Sequence, residues 1–175
     1  DKLHLFDVDL PTGESWRESA TYEAGSGVEL VEGTPVGTLG LTICYDLRFP
    51  VWSRQAVYSR IPGGDGTGPG EPEYDVLVYV ANWPERRVHA WKTLLQARAI
   101  ENQCFVVGVN RVGTDANGHY YSGDSLVASP LGELYYHKKD AEDIFTITLN
   151  KEEVDGIREK LPFWKDGDDF RLLEV

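Results

Sequence analysis

Two runs in this chain, Val76-Leu77-Val78-Tyr79-Val80 and Phe105-Val106-Val107-Gly108-Val109, are continuous stretches of apolar residues bounded by polar ones. A strand with one wet face alternates polar and apolar residues, so an uninterrupted run marks a strand buried on both faces. Between the two runs, Val88, Trp91, Leu95 and Ala99 keep helical spacing and predict a long helix from about Arg86 to Asn102. Strands and helices in mixed order around buried strands point to α/β layers. The 175 residues suffice for one domain, since a chain of this size buries roughly 70% of its unfolded surface. With 41% hydrophobic and 26% charged residues, a disordered tail, a collagen-like fibre and a disulfide-dense mini-protein are excluded.

Further elements follow from local pattern. Lys2 to Pro11 reads as a short extended piece, and residues 12–27 as loop. Val28–Val31 and Val36–Ile43 read as a hairpin turning at Glu32-Gly33-Thr34-Pro35. Pro50 suits a first helical turn, with Val51 to Tyr58 continuing it. Residues 61–73 are dominated by Gly and Pro and read as an exposed, flexible loop. Leu126–Ala128, Leu134–His137 and Ile144–Leu149 are three more strand candidates. Asn150 with Glu153 resembles a helix N-cap and its N3 partner, opening a helix to about Lys160.

The net charge of −12 repels phosphate backbones and makes nucleic acid a poor partner. No stretch approaches the ~20 apolar residues of a membrane span. The two cysteines, Cys44 and Cys104, form no CxxC pair, which argues against a zinc ribbon or a disulfide framework and suits a reducing cytoplasm. No histidine pair has metal-ligand spacing, so neither a metal nor another cofactor is expected. The chain has no methionine and opens on Asp1-Lys2-Leu3-His4, which reads like the middle of a longer protein.

The chemistry-bearing segment is Gly40-Leu41-Thr42-Ile43-Cys44-Tyr45-Asp46-Leu47-Arg48-Phe49-Pro50. It sets a thiol where a buried strand turns into a helix, an elbow that exposes the side chain and aims backbone N–H groups at whatever it attacks. Position alone weighs equally for a small buried hydrophobe. Cys104 has no elbow and reads as core. A nucleophilic thiol needs a base and an oxyanion stabiliser; besides the histidines, the candidates are Lys2, Glu14 and Glu18.

Lys2-Leu3-His4-Leu5-Phe6-Asp7, the elbow, and Tyr79-Val80-Ala81-Asn82-Trp83-Pro84 together resemble the nitrilase (carbon–nitrogen hydrolase) superfamily. Ala97 to Gln103, Gly108 to Gly113, Gly123-Asp124-Ser125 and Pro130-Leu131-Gly132 continue the resemblance in order, and it is closest to the omega-amidase branch. The resemblance implies a four-layer αββα sandwich, incomplete in this chain, which would hold the C-terminal two thirds of one domain. It also implies a Glu-Lys-Cys triad with Cys44 as nucleophile and Lys2 as the lysine. Glu18, sixteen positions after Lys2, would support that lysine, with Glu14 as the fallback. The triad glutamate would precede Lys2 by many tens of residues and is expected outside this chain. The Tyr45 N–H would share the oxyanion with Lys2. The implied substrate is a small carboxylate-bearing amide such as 2-oxoglutaramate, and the implied assembly a homodimer or larger homo-oligomer. Alternatives are an amidase for deaminated glutathione or N-carbamoyl amino acids, or a catalytically silent chain.

Other positions carry two readings each. Arg48 either clamps a substrate carboxylate or pairs with Asp46 to hold the elbow, the latter being favoured. Asn82 and Trp83 follow a buried strand at its C-terminal end, where α/β ligand sites collect, though Trp83 equally suits packing. Arg98 and Glu101 are a default ion pair. Arg111, in a loop after a strand, is the freer candidate cation for an anionic substrate.

Overall fold

The computed structural model describes residues 2–54 and 72–167. A small two-stranded sheet comes first, β1 (Asp7–Asp9) against β2 (Ser15–Arg17), followed by a 3₁₀ turn at Glu18–Ala20. Within the segment expected to be loop, only Ser15–Ala20 is structured, where Asp9 and Asp7 accept from Ser15 and Ser19 across the hairpin; residues 21–27 hold no helix or strand.

The principal sheet starts with β3 (Glu29–Thr34) antiparallel to β4 (Gly37–Ile43). Its turn lies one to two residues later than expected, at Pro35-Val36, where Thr34 Oγ1 donates to the Gly37 carbonyl. After a 3₁₀ turn at Cys44–Arg48, α1 occupies only Pro50–Ser53, since Arg54 is already extended. The remainder of the helix expected there, and nearly all of the Gly/Pro loop expected at 61–73, lie outside the described residues. Next come β5 (Val76–Ala81), α2 (Val88–Asn102) and β6 (Phe105–Asn110). β4, β5 and β6 are parallel, with Ile43 opposite Val80 and Ala81 opposite Asn110. Their C-terminal ends thus open at one edge of the sheet, which brings Cys44, Asn82 and Arg111 to that edge.

β7 (Val112–Thr114) leads to the long β8 (Tyr120–Ala128), which pairs antiparallel with β6, β7 and β9 (Leu134–Lys139). Residues 144–149, expected as a strand, pair with no described strand, and Ile144 is 98% exposed. β propensity without a ladder neighbour does not make a strand. The last helix, α3 (Lys151–Lys160), is capped at Asn150, whose side chain accepts from Glu152 N. The expected N3 partner does not close back, because Glu153 accepts from the Tyr135 hydroxyl at 2.6 Å.

α2 covers one face of the sheet, packing Trp91, Leu95 and Ala99 on Leu77, Tyr79, Val106 and Leu126. Gly108 permits this approach: a Cβ there would run into Leu95 and lie 2.9 Å from Trp91 Cζ2. On the other face α3 contributes Val154 over Val76 and Phe105, toward the N-terminal ends of the strands. Toward the C-terminal ends that face is open, with exposure of 37% at Leu41 and 49% at Val109. The architecture is α/β, with one large sheet between helices among the described residues. None of the described helices is long and apolar enough to cross a membrane.

Candidate active site

Cys44 follows the last residue of β4 and has φ +50°, the left-handed region that a residue with a side chain enters at a cost of about 1–3 kcal/mol. The turn throws its Sγ toward the mouth of a cavity of about 710 Å³. Sγ lies 4.0 Å from the Asn82 carbonyl oxygen, at the end of the neighbouring strand β5. Burial pushes the Cys44 thiol above the ordinary range; the Asn82 contact and the charge of Lys2 pull it back, while Glu18 adds to the rise.

Lys2 lines the same cavity and is ion-paired through Nζ to Glu18 Oε2. The Glu18 carboxylate also accepts from Phe6 N at 2.7 Å, so it grips both the ammonium and the segment that carries it. Glu14, the fallback supporter, is turned away to Arg86, 3.1 Å from its Nη2.

Aromatic rings wall the cavity. The Tyr45 ring meets Phe6 edge-on, with centroids 4.9 Å apart, and Trp16 closes on Phe6 at 5.7 Å. Trp83 serves both roles read for it: it is 4% exposed, packs 5.6 Å from Trp91, and still faces the cavity. Its backbone is held by Asn110, whose side chain accepts from Trp83 N and donates to Trp83 O and Gly123 O. Asn82 lines the cavity beside it.

Arg48 does not pair with Asp46. Its guanidinium lies 4.8 Å from the Trp83 ring centroid, at the cavity wall. Asp46 is instead engaged by backbone N–H groups and His4. Arg98 and Glu101 do form their pair, at 2.9 Å, and Arg98 Nη2 also donates to Leu47 O, fastening the elbow's 3₁₀ turn to α2. Arg111 does not line the cavity; it lies 4.7 Å from the ring centroid of Tyr121, which does. The cation that sequence reasoning missed is Arg87. It is half-buried in the cavity wall and sits 5.6 Å over Phe6. Burial and the guanidiniums of Arg86 and Arg48 push its pKa down, with the Cys44 thiol opposing. Among the described residues neither Arg48 nor Arg87 has a carboxylate partner. The available signal was positional: Arg87 belongs to a 3₁₀ turn, Glu85–Arg87, that follows Pro84 just past the C-terminal end of β5.

One cavity thus gathers a thiol on a strained strand-end turn, a lysine held by a carboxylate, aromatic walls and guanidiniums at its edge, the mix of apolar surface and a few convergent polar groups typical of a small-molecule site. Residues 1–62 and 69–159 match the model of the carbon–nitrogen hydrolase family, and the chain belongs to that family. It is similar to the omega-amidase YafV of Escherichia coli K12, at 42% identity over 98% of this chain and 59% of that protein. It is also similar to the crystal structure of a CN-hydrolase superfamily protein from Xanthomonas campestris, at 41% identity with a TM-score of 0.82, over 98% of this chain and 59% of that one. A deaminated glutathione amidase of Dictyostelium discoideum is 33% identical over 92% of this chain and 52% of its own. The chain spans 59% of the length of the omega-amidases it resembles.

Proposed function

We propose that the protein to which this chain belongs is an amidohydrolase. It cleaves the terminal amide of a small carboxylate-bearing compound of the 2-oxoglutaramate or 2-oxosuccinamate type and releases ammonia. The observation that carries the reading is the Lys2–Glu18 ion pair, lining one cavity with a left-handed Cys44. The similarity to omega-amidases supports it.

In this reading Cys44 is the nucleophile. Its thiol proton passes to a general base, and the sulfur attacks the amide carbon. No residue of this chain is assigned the role of base; the resemblance gives it to a glutamate earlier in the family's sequence than the triad lysine. Because burial raises the thiol, the resting group is protonated near neutrality and attack needs that base. The Lys2 ammonium meets the charge developing on the carbonyl oxygen, together with the Tyr45 N–H. Glu18 keeps Lys2 charged and aimed. Collapse of the tetrahedral intermediate breaks the C–N bond, and the leaving nitrogen takes the proton and departs as ammonia. Water then hydrolyses the Cys44 thioester, freeing the acid and restoring the thiol.

Arg87 and Arg48 take the distal carboxylate, in place of Arg111. A buried anion without a counter-charge is very costly, and these guanidiniums face the cavity with no carboxylate of their own among the described residues. Asn82 and Trp83 shape the pocket. We propose further that the chain is part of one hydrolase domain, acts in the cytoplasm as a homodimer or larger homo-oligomer, and has a small-molecule amide as its substrate partner.

Ammonia release by the full-length protein tests the reading. 2-Oxoglutaramate and 2-oxosuccinamate should be hydrolysed far faster than butyramide. Equal rates on charged and neutral amides would leave only the cysteine chemistry standing. A preference for deaminated glutathione would move the assignment to that relative's activity.

A further inference from the structure

Lys2 and Cys44 stand 42 positions apart in the chain, yet the reaction proposed above needs them together. Glu18 fixes the ammonium, but nothing in that pair reaches the elbow. The link is Asp46, two residues beyond Cys44 and 2% exposed. Its Oδ1 accepts from His4 N at 2.8 Å, from Leu3 N at 3.1 Å, and from His4 Nδ1 at 3.0 Å. Its Oδ2 accepts from Ile43 N at 3.1 Å and shares Leu3 N at 3.3 Å. A carboxylate has about four acceptor sites. Here they are filled by the two residues that follow Lys2 and the one that precedes Cys44.

The His4 ring is locked in turn. It stacks on Phe49 with centroids 3.7 Å apart and planes 10° off parallel, and meets Trp52 edge-on. Facing a carboxylate, which only accepts, the imidazole carries a proton on Nδ1. Ile43, Asp46 and Phe49 all belong to the elbow or its exit, and Phe49 N donates to Asp46 O at 3.0 Å. The left-handed Cys44 is thus spanned by the bond from Ile43 N to Asp46, which holds its strained backbone in place.

We propose that Asp46 is a positioning residue of this site: one buried carboxylate ties the segment bearing Lys2 to the turn bearing Cys44 and so sets the approach of ammonium to thiol. Asp46 neither touches the sulfur nor lines the cavity itself; it acts through Lys2 and the elbow. The proposal rests on the reading above for the chemical role of Lys2, and its test reads the thiol directly, without substrate.

The readout is the pH dependence of Cys44 alkylation by iodoacetamide in the full-length protein, located by peptide mass spectrometry. The groups acting on that sulfur are Lys2, Glu18, Arg87 and the Asn82 carbonyl. An asparagine at position 46 serves the Leu3–His4 side or the Ile43 side with its single oxygen, not both. Releasing Lys2 removes a charge that favours the thiolate. Asp46→Asn should therefore move the alkylation midpoint up, by about one pH unit. The sign separates this from a direct effect, because deleting a negative charge near a thiolate lowers its midpoint. Lys2→Gln should move the midpoint up as well, and the double variant should match Lys2→Gln alone.

A folded Asp46→Asn protein with an unchanged or lowered midpoint overturns the proposal, as does an upward shift that adds to that of Lys2→Gln. His4→Phe is the milder variant if Asp46→Asn fails to fold. It keeps the stack on Phe49, deletes the Nδ1 donor, and should give a smaller upward shift; no shift there also overturns the proposal. Midpoints that move as expected in a protein that hydrolyses no amide uphold the positioning role and overturn the amidase reading instead.

Discussion

At the C-terminal ends of the three parallel strands stand Cys44, Lys2, Glu18 and two guanidiniums, Arg48 and Arg87. At the N-terminal ends stand Cys104, Asp75, Arg158 and Lys151. Both groups join a thiol to ionised side chains, and they differ in how the charges are met and in whether the thiol is reached. Asp75 is 7% exposed and accepts from Arg158 Nη1 at 2.9 Å and Thr38 N at 3.0 Å, with Lys151 Nζ 3.7 Å away. Arg158 gives its other donors to Gln103 O and Tyr74 O. Cys104 is sealed beside them, and burial pushes its thiol up to about 12. The donors of that cluster end on protein. At the opposite end the thiol opens on a cavity, and two cations lack carboxylates among the described residues. The first arrangement joins α3 to the sheet; the second lies at the C-terminal strand ends, where ligand sites of α/β sheets collect.

The sharpest way to break this comparison is to exchange the cysteines for alanine. Cys44→Ala in the full-length protein should reduce turnover by several orders of magnitude, whereas Cys104→Ala should keep most of it. Iodoacetamide at pH 8 should mark Cys44 and spare Cys104, whose thiolate is negligible until pH nears 12. Loss of activity that tracks modification of Cys104 would reverse the roles of the two ends.

Arg158→Met tests the paired end. It leaves the buried Asp75 carboxylate with only Thr38 N and the more distant Lys151 and should destabilise the fold by up to ~3 kcal/mol in denaturant unfolding, while the alkylation rate of Cys44 stays as it was. A parallel fall in Cys44 reactivity would mean that the two ends are not independent.

Glu18→Gln weakens a charge-assisted bond worth about 1.5–3 kcal/mol, so kcat should fall about 10- to 100-fold with KM nearly unchanged. A KM effect alone would place Glu18 in binding. The smallest effect concerns the guanidiniums. Arg87→Ala should raise KM for 2-oxoglutaramate about tenfold and leave butyramide unaffected. Arg111→Ala, outside the cavity, should change neither constant, and the opposite pattern would return the carboxylate to Arg111.

Much of this organisation is legible in the chain itself. The runs at Val76 and Phe105 and the spacing of α2 are strong because burial on both faces, or along one stripe, leaves a period that no loop shares. Residues 144–149 carry the same kind of signal and still form no strand, because a ladder needs a neighbour and pattern does not name one. Residues 15–20 fail the other way: bonds of Asp7 and Asp9 to Ser15 and Ser19 brace a hairpin that composition reads as loop. In the site, the distant pairing of Lys2 with Glu18 follows from family resemblance alone, since nothing local requires it. Arg48 with Asp46 was the plausible local pair, and it is absent because three backbone N–H groups and His4 fill the carboxylate. Arg87 went unread because a 3₁₀ turn has no periodicity to show which way its side chains point.

The central claim is that Cys44 carries the acyl group of a carboxylate-bearing amide. The most direct measurement is rapid acid quench of the full-length protein during hydrolysis of 2-oxoglutaramate, followed by mass spectrometry of its peptides. The account predicts an acyl adduct on the peptide containing Cys44, formed at a rate equal to or faster than ammonia release and missing from Cys44→Ala. Ammonia released with no adduct on any cysteine, or an adduct carried by Cys104, would contradict it.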